Sequence, residues 1–133
     1  MSGVALLPYA DFLGIGIAGE RDGAPLLVMP FSQGLVGLPG MLHGGAIAGL
    51  LEIAAIAAID ATLEEGLDAR AIFKPVTVTV DFMRPGRLMD SFARARVLRR
   101  GGRIANLDVS AWQSDPDRPI AGARMTLAIG QRR

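Results

Sequence analysis

The amino-acid sequence predicts an α+β fold, with one antiparallel sheet of about six strands wrapped around a single long helix. Three observations predict it. The stretch Gly44 to Glu65 has helical composition, and between Ala46 and Ile59 it is apolar nearly all the way round. That is the pattern of a helix buried on most of its faces. Val76-Thr77-Val78-Thr79-Val80-Asp81-Phe82 and three later stretches alternate in the period of a half-buried strand. Short turn sequences join consecutive strands, which makes those neighbours antiparallel.

Taken in order, residues 8–13 read as a short helix opened by Pro8, a favoured first helical residue. Gly14 to Glu20 and Leu26 to Phe31 read as two strands. Arg21-Asp22-Gly23-Ala24-Pro25 between them has hairpin chemistry, because Asp-Gly tolerates positive φ. Ser32 to Leu42, broken by glycine and proline, reads as a loop. The long helix is rich in Ala, Leu, Ile and Glu, lacks proline and stops at Gly66. The strand at Val76–Phe82 is expected to turn its valines and Phe82 toward the helix. Ser91 to Leu98 places Ala93, Ala95 and Val97 on one face, and Gly101-Gly102 turns the chain into Arg103 to Trp112. There Ala105, Leu107, Val109 and Ala111 face inward. After Asp115-Pro116-Asp117, Ile120 to Ile129 turns Ala121, Ala123, Met125, Leu127 and Ile129 inward. Arg94 and Arg96 then lie on the outer face, where Asp108 is placed to pair with them.

A chain of 133 residues, half apolar and 20% charged, is expected to form one domain over residues 1–133 with a sizeable core. The net charge of +1 supplies no field for nucleic acid. Without cysteine there is no disulfide or thiolate chemistry. With His43 as the single histidine, a histidine-based metal cluster is excluded, and no metal or other cofactor is implied. The N-terminal segment lacks a basic region and its apolar run is broken by Pro8, unlike a signal peptide. The apolar stretch Ala46 to Ile59 falls short of the ~20 residues of a membrane span. A cytoplasmic protein with no membrane partner is expected.

Gly40-Met41-Leu42-His43-Gly44-Gly45-Ala46-Ile47-Ala48-Gly49-Leu50-Leu51-Glu52 is the informative segment. The first turn of any helix leaves backbone N–H groups unpaired at the positive end of its dipole. Glycines at 44 and 45 let a carbonyl approach closely, so either N–H could stabilise an oxyanion. Glu52 is the one charge in the apolar span, and no cation lies within helical reach of it. Removal from water makes a carboxylate a better proton acceptor, which suits general base work. Gly44 and Glu52 are eight positions apart on one helix, or ~12 Å along its axis. One reacting carbon cannot sit close to both, so the site needs Gly44 of one chain and Glu52 of another. A homodimer or dimer of dimers is therefore expected, its antiparallel helices passing closely at Gly45, Ala48, Gly49 and Ala55.

The order strand–strand–helix–strands, the Leu42-His43-Gly44-Gly45 helix start and an acid nine positions after the histidine resemble the hotdog acyl-CoA thioesterases. The PaaI-like (phenylacetate-degradation) group is the most similar, and the likeness runs from Pro8 to Ile129. Asp81-Phe82-Met83-Arg84-Pro85-Gly86 is similar to the family's aromatic-x-Arg-Pro strand end. The resemblance implies an acyl-CoA substrate, a Gly44 N–H that polarises the thioester carbonyl, and Glu52 as base or nucleophile. The family's Asn or Gln six residues before the histidine is Gly37 here, and its Ser or Thr ten before the proline is Pro75. Gln33, or Thr77 two positions past Pro75 and on the same strand face, could take over those polar roles.

Blander readings stand beside these. Glu52 could be a structural carboxylate capped by a strand arginine, and His43 reads better as a loop-fixing residue than as a catalyst. Arg84, Arg87, Arg99, Arg100 and Arg103 could meet coenzyme A phosphates, although a solvated strand end is the commoner meaning of such arginines. The same fold also admits an acyl-thioester hydratase or dehydratase, against which Leu38 counts, where one such pattern has Asp. A non-catalytic acyl-CoA or lipid binder is the other alternative.

Overall fold

The computed structural model describes residues 7–63 and 71–131. The elements are α1 (Pro8–Leu13), β1 (Gly16–Arg21), β2 (Ala24–Met29), a 3-10 turn (Gln33–Leu35), α2 (Gly44–Asp60), β3 (Ala71–Phe82), β4 (Ser91–Arg100), β5 (Ile104–Trp112) and β6 (Ala121–Gln131). The six strands form one sheet in the order β1-β2-β4-β5-β6-β3, and every pairing is antiparallel. This sheet around one long helix is the hotdog architecture the sequence implied.

Local chemistry sets the turns. Pro8 opens α1, and Gly14 closes it at φ 76°, a left-handed cap that glycine adopts without steric cost. Asp22 and Gly23 both take positive φ, 53° and 80°, which makes the β1–β2 connection a two-residue type I′ hairpin.

α2 lies on the sheet, and the core forms between them. Leu50, Leu51, Ile53 and Ile59 are fully buried, and each such side chain contributes at most about 1.5–3 kcal/mol of hydrophobic stabilisation. The sheet meets α2 with Leu27, Met29, Ala93, Ala95, Ala105, Leu107, Val109, Ala111, Ala121, Ala123, Met125 and Leu127, all buried. The expected inward faces of β4, β5 and β6 are thus the observed ones. The many alanines let the helix backbone approach closely. On the outer face Asp108 lies between Arg96 (3.5 Å) and Arg124 (3.7 Å). Arg94 stands opposite Ser110 instead, and Asp22 of the β1–β2 turn reaches it at 3.3 Å.

Three expectations are corrected. α2 ends at Asp60, before Gly66, which lies outside the described residues. Thr62 ends it, because both its N–H (2.9 Å) and its hydroxyl (2.7 Å) donate to the Ile59 carbonyl. Second, β3 is only partly covered by the helix, with Val80 packed against the core as expected. Val78, Val80 and Phe82 pair with Met125, Ala123 and Ala121, so they share the helix-side face. But β3 is an edge strand, and Val76 (61%), Val78 (40%) and Phe82 (57%) are exposed in the single chain. Third, Thr77 does not share a face with Pro75. The ladder shifts between them, so Pro75 opposes Leu127 whereas Thr77 opposes Thr126 on the outer face. Proline has no N–H for the ladder, and a bulge accommodates it there. Among the described residues no helix is long and apolar enough to cross a membrane.

Candidate active site

The site is built around the loop that leads into α2. Gly37 N–H donates to the Met41 carbonyl (2.9 Å), Leu42 N–H to Gly86 (2.9 Å) and His43 N–H to Leu35 (2.7 Å). Residues 36–42 thus fold back on themselves and are tied to the segment after β3. Gly37 packs against the His43 backbone: a Cβ there would lie 2.8 Å from the His43 Cα. The missing polar side chain at position 37 therefore has a steric cause.

His43 is the N-cap of α2, and its Nδ1 accepts a hydrogen bond from Gly45 N–H at 2.8 Å. In a neutral ring that geometry places the proton on Nε2. The His43 carbonyl accepts from Ala46 (3.0 Å) and Ile47 (3.2 Å). Of the first-turn donors, among the described residues, Gly44 N–H is left without a protein acceptor. Gly45, the other candidate donor, is already engaged.

Gly44 lines a cavity of about 700 Å³ together with His43, Ile47, Leu42, Met41 and Phe82. The Phe82 ring lies 3.4 Å from where a Gly44 Cβ would stand. Arg84, Pro85 and Gly86 close the cavity on one side. The walls suit an acyl or aryl group, and the positive end of α2 opens onto the cavity at His43 and Gly44. The alternation of β3 assigned Phe82 to the core, so its role as a cavity wall was missed. Its place just before Arg84-Pro85 was the available signal.

Glu52 lies two turns along α2 and does not line this cavity. It is half-buried, on the helix stripe that also carries Gly45 and Ala48. Among the described residues it has no hydrogen-bond or ion-pair partner, so no strand arginine caps it there. Gln33 and Thr77 are exposed and outside the cavity. One chain therefore brings together His43, Gly44 and Phe82, but not Glu52, Gln33 or Thr77.

A hotdog fold with a free helix-start N–H in an apolar cavity defines a class of proteins that act on thioesters. The profile of the acyl-CoA thioesterase N-terminal domain family matches residues 36–128, from the loop before α2 into β6. The chain belongs to this family, and it is a thioester hydrolase acting on acyl-CoA. Solved structures agree. A phenylacetic acid degradation-related protein from Ralstonia eutropha JMP134 superposes with a TM-score of 0.77 at 25% identity, covering 95% of this chain and 93% of that one. A thioesterase family protein from Silicibacter pomeroyi gives 0.81 at 26% identity, covering 95% and 91%. A protein from Chromobacterium violaceum gives 0.71 at 32% identity, covering 92% and 82%. No curated protein matches the sequence.

Proposed function

We propose that the enzyme hydrolyses acyl- or aroyl-CoA thioesters at a site shared between two copies of the chain. Gly44 N–H of one copy polarises the thioester carbonyl, and Glu52 of the other is the general base or nucleophile. The observation that carries this reading is the unpaired Gly44 N–H lining the cavity. In the base route Glu52 takes a proton from water, and the resulting hydroxide attacks the carbonyl carbon. Negative charge builds on the carbonyl oxygen, where Gly44 N–H and the helix dipole stabilise it. Collapse expels the coenzyme A thiolate, which takes up a proton. In the nucleophile route the carboxylate attacks first and expels the coenzyme A thiolate, which takes up a proton; water then opens the mixed anhydride, releasing the acid and the Glu52 carboxylate. Neither route calls on a metal or redox cofactor.

The distance along α2 supports the second copy. Eight residues separate Gly44 from Glu52, about 12 Å of helix. The long exposed edge of β3, with Val76 and Val78 uncovered, is a surface that pairing would cover, in a homodimer or dimer of dimers. A cytoplasmic location is part of this proposal, and an acyl-CoA substrate supports it.

Glu52→Gln tests the carboxylate. The near-isosteric amide is expected to keep fold and association while lowering kcat by roughly 100- to 10,000-fold, the usual cost of losing a general base. Rates on a panel of acyl-CoA thioesters, followed by free thiol and paired with melting curves, decide it. A variant that keeps the wild-type rate removes Glu52 from the mechanism.

A further inference from the structure

A second cavity, of about 380 Å³, lies beyond the Arg84–Pro85 wall, and Arg84 and Pro85 line both. Arg87, Gln113, Asp115 and Arg118 are among its other walls. Three arginines thus share the walls with one aspartate, in a chain whose net charge is only +1. The carboxylate is itself occupied, since Asp115 Oδ1 accepts from Asp117 N–H at 2.9 Å. Among the described residues none of the three arginines forms an ion pair, whereas Arg94, Arg96 and Arg124 each do.

The cavity is also held in shape. Gln113, 8% exposed, receives Arg87 N–H on its Oε1 (2.9 Å). Its Nε2 lies in hydrogen-bond reach of the carbonyls of Arg87 (2.9 Å) and Met89 (3.3 Å) and of Ser91 Oγ (3.1 Å). These bonds fix the backbone that carries Arg87. On the facing loop, Arg118 N–H donates to the Asp115 carbonyl (3.0 Å). Arg84 Nη1 donates to the Pro119 carbonyl (2.6 Å), which ties the two segments together. Like charges gathered in a fixed concavity repel one another, and a multivalent anion relieves that repulsion. Guanidinium forks match phosphate oxygens in geometry as well as charge.

We propose that this cavity binds the phosphate-bearing nucleotide end of the acyl-CoA substrate, with Arg87 and Arg118 as the phosphate ligands. Arg84 is spent largely on the loop and acts as the rim between the two cavities. The inference rests on the Gly44 reading: the thioester sits in one cavity, the phosphates in the other, and the connecting arm crosses Arg84 and Pro85.

The test is the double variant Arg87→Gln/Arg118→Gln, assayed on an acyl-CoA and on the same acyl group as an N-acetylcysteamine thioester, which has no phosphate. KM for acyl-CoA is expected to rise roughly 10- to 100-fold with kcat within about twofold, while kinetics on the truncated thioester stay unchanged. As competitive inhibitors, coenzyme A and dephospho-coenzyme A are expected to weaken in the variant and pantetheine is not. An unchanged KM for acyl-CoA overturns the proposal, and so does an equal loss on both substrates, which marks a structural role. Calorimetry with 3′,5′-ADP on wild type and variant separates this failure from that of the catalytic reading. Binding by wild type and not by the variant upholds the cavity even if Glu52→Gln stays active. Inorganic phosphate that competes as well as the nucleotide reduces the cavity to a general anion site and overturns the assignment.

Discussion

His43 decides which backbone donor of α2 is left for a substrate. Helix-start geometry offers two glycines and does not choose between them, and the resemblance alone points to Gly44. The physical reason appears when the imidazole folds back to take Gly45 N–H and the His43 carbonyl takes Ala46 and Ile47. A side-chain cap of this kind depends on a rotamer that spacing alone does not reveal. Gly44 can be tested at its own atom. It is the first residue of α2, where proline is tolerated. His43 before it sits at φ −67° and ψ 131°, the extended region that a following proline requires. Gly44→Pro is therefore expected to keep the helix while deleting the N–H. Loss of one oxyanion donor lowers kcat by about 100- to 1,000-fold. Circular dichroism and steady-state kinetics measured together check this, and a variant with native helicity and wild-type kcat removes the donor from the mechanism.

At the scale of elements, period and turn chemistry were legible and neighbourhood was not. Asp22-Gly23, the alternation of β4 to β6 and the all-round apolar helix are local patterns, and each has its expected form. The exposure of Val76, Val78 and Phe82 follows from strand order, a property of the whole sheet that no seven-residue window contains. The bulge beside Pro75 could have been inferred from the proline, and it turns Thr77 to the outer face. The early end of α2 has a consequence for stability. Asp60 is its last residue, beside the negative end of the helix dipole, and burial pushes its carboxyl up from the ordinary aspartate value. The folded protein thus holds this proton more tightly than the unfolded chain. Stability from this group is full below the ordinary aspartate value and falls as pH rises through the raised one. Asp60→Asn is expected to stabilise the protein near pH 7, with about 0.3–1 kcal/mol coming from the dipole alone. The gain should fade in acid, where wild-type Asp60 is neutral too. Urea midpoints at pH 7 and pH 3.5 decide it, and a gain equal at both values contradicts the account.

On the scale of the whole molecule, the two halves of the proposed site do not meet within one chain. Gly44 lines the apolar cavity, while Glu52 sits on a different stretch of α2, half-buried and unpartnered among the described residues. If two copies complete each other, two inactive variants should rescue one another. A chain with Glu52→Gln retains its Gly44 donor, and a chain with Gly44→Pro retains its carboxylate. In a hybrid dimer the intact donor of the first chain meets the intact carboxylate of the second, restoring one site. The other site collects both defects. Random pairing makes about half the dimers hybrid, each with one working site of two, so activity should recover to about a quarter of wild type. The experiment mixes the variants at equal concentration, dissociates and reassociates them, and follows thioester hydrolysis. Light scattering confirms the assembly, and melting curves confirm that both parents are folded. If donor and carboxylate acted within one chain, every site in the hybrid would carry one defect and nothing would recover. A mixture no more active than the mean of its parents, with hybrids shown to form, therefore ends the shared-site reading and returns both roles to a single chain.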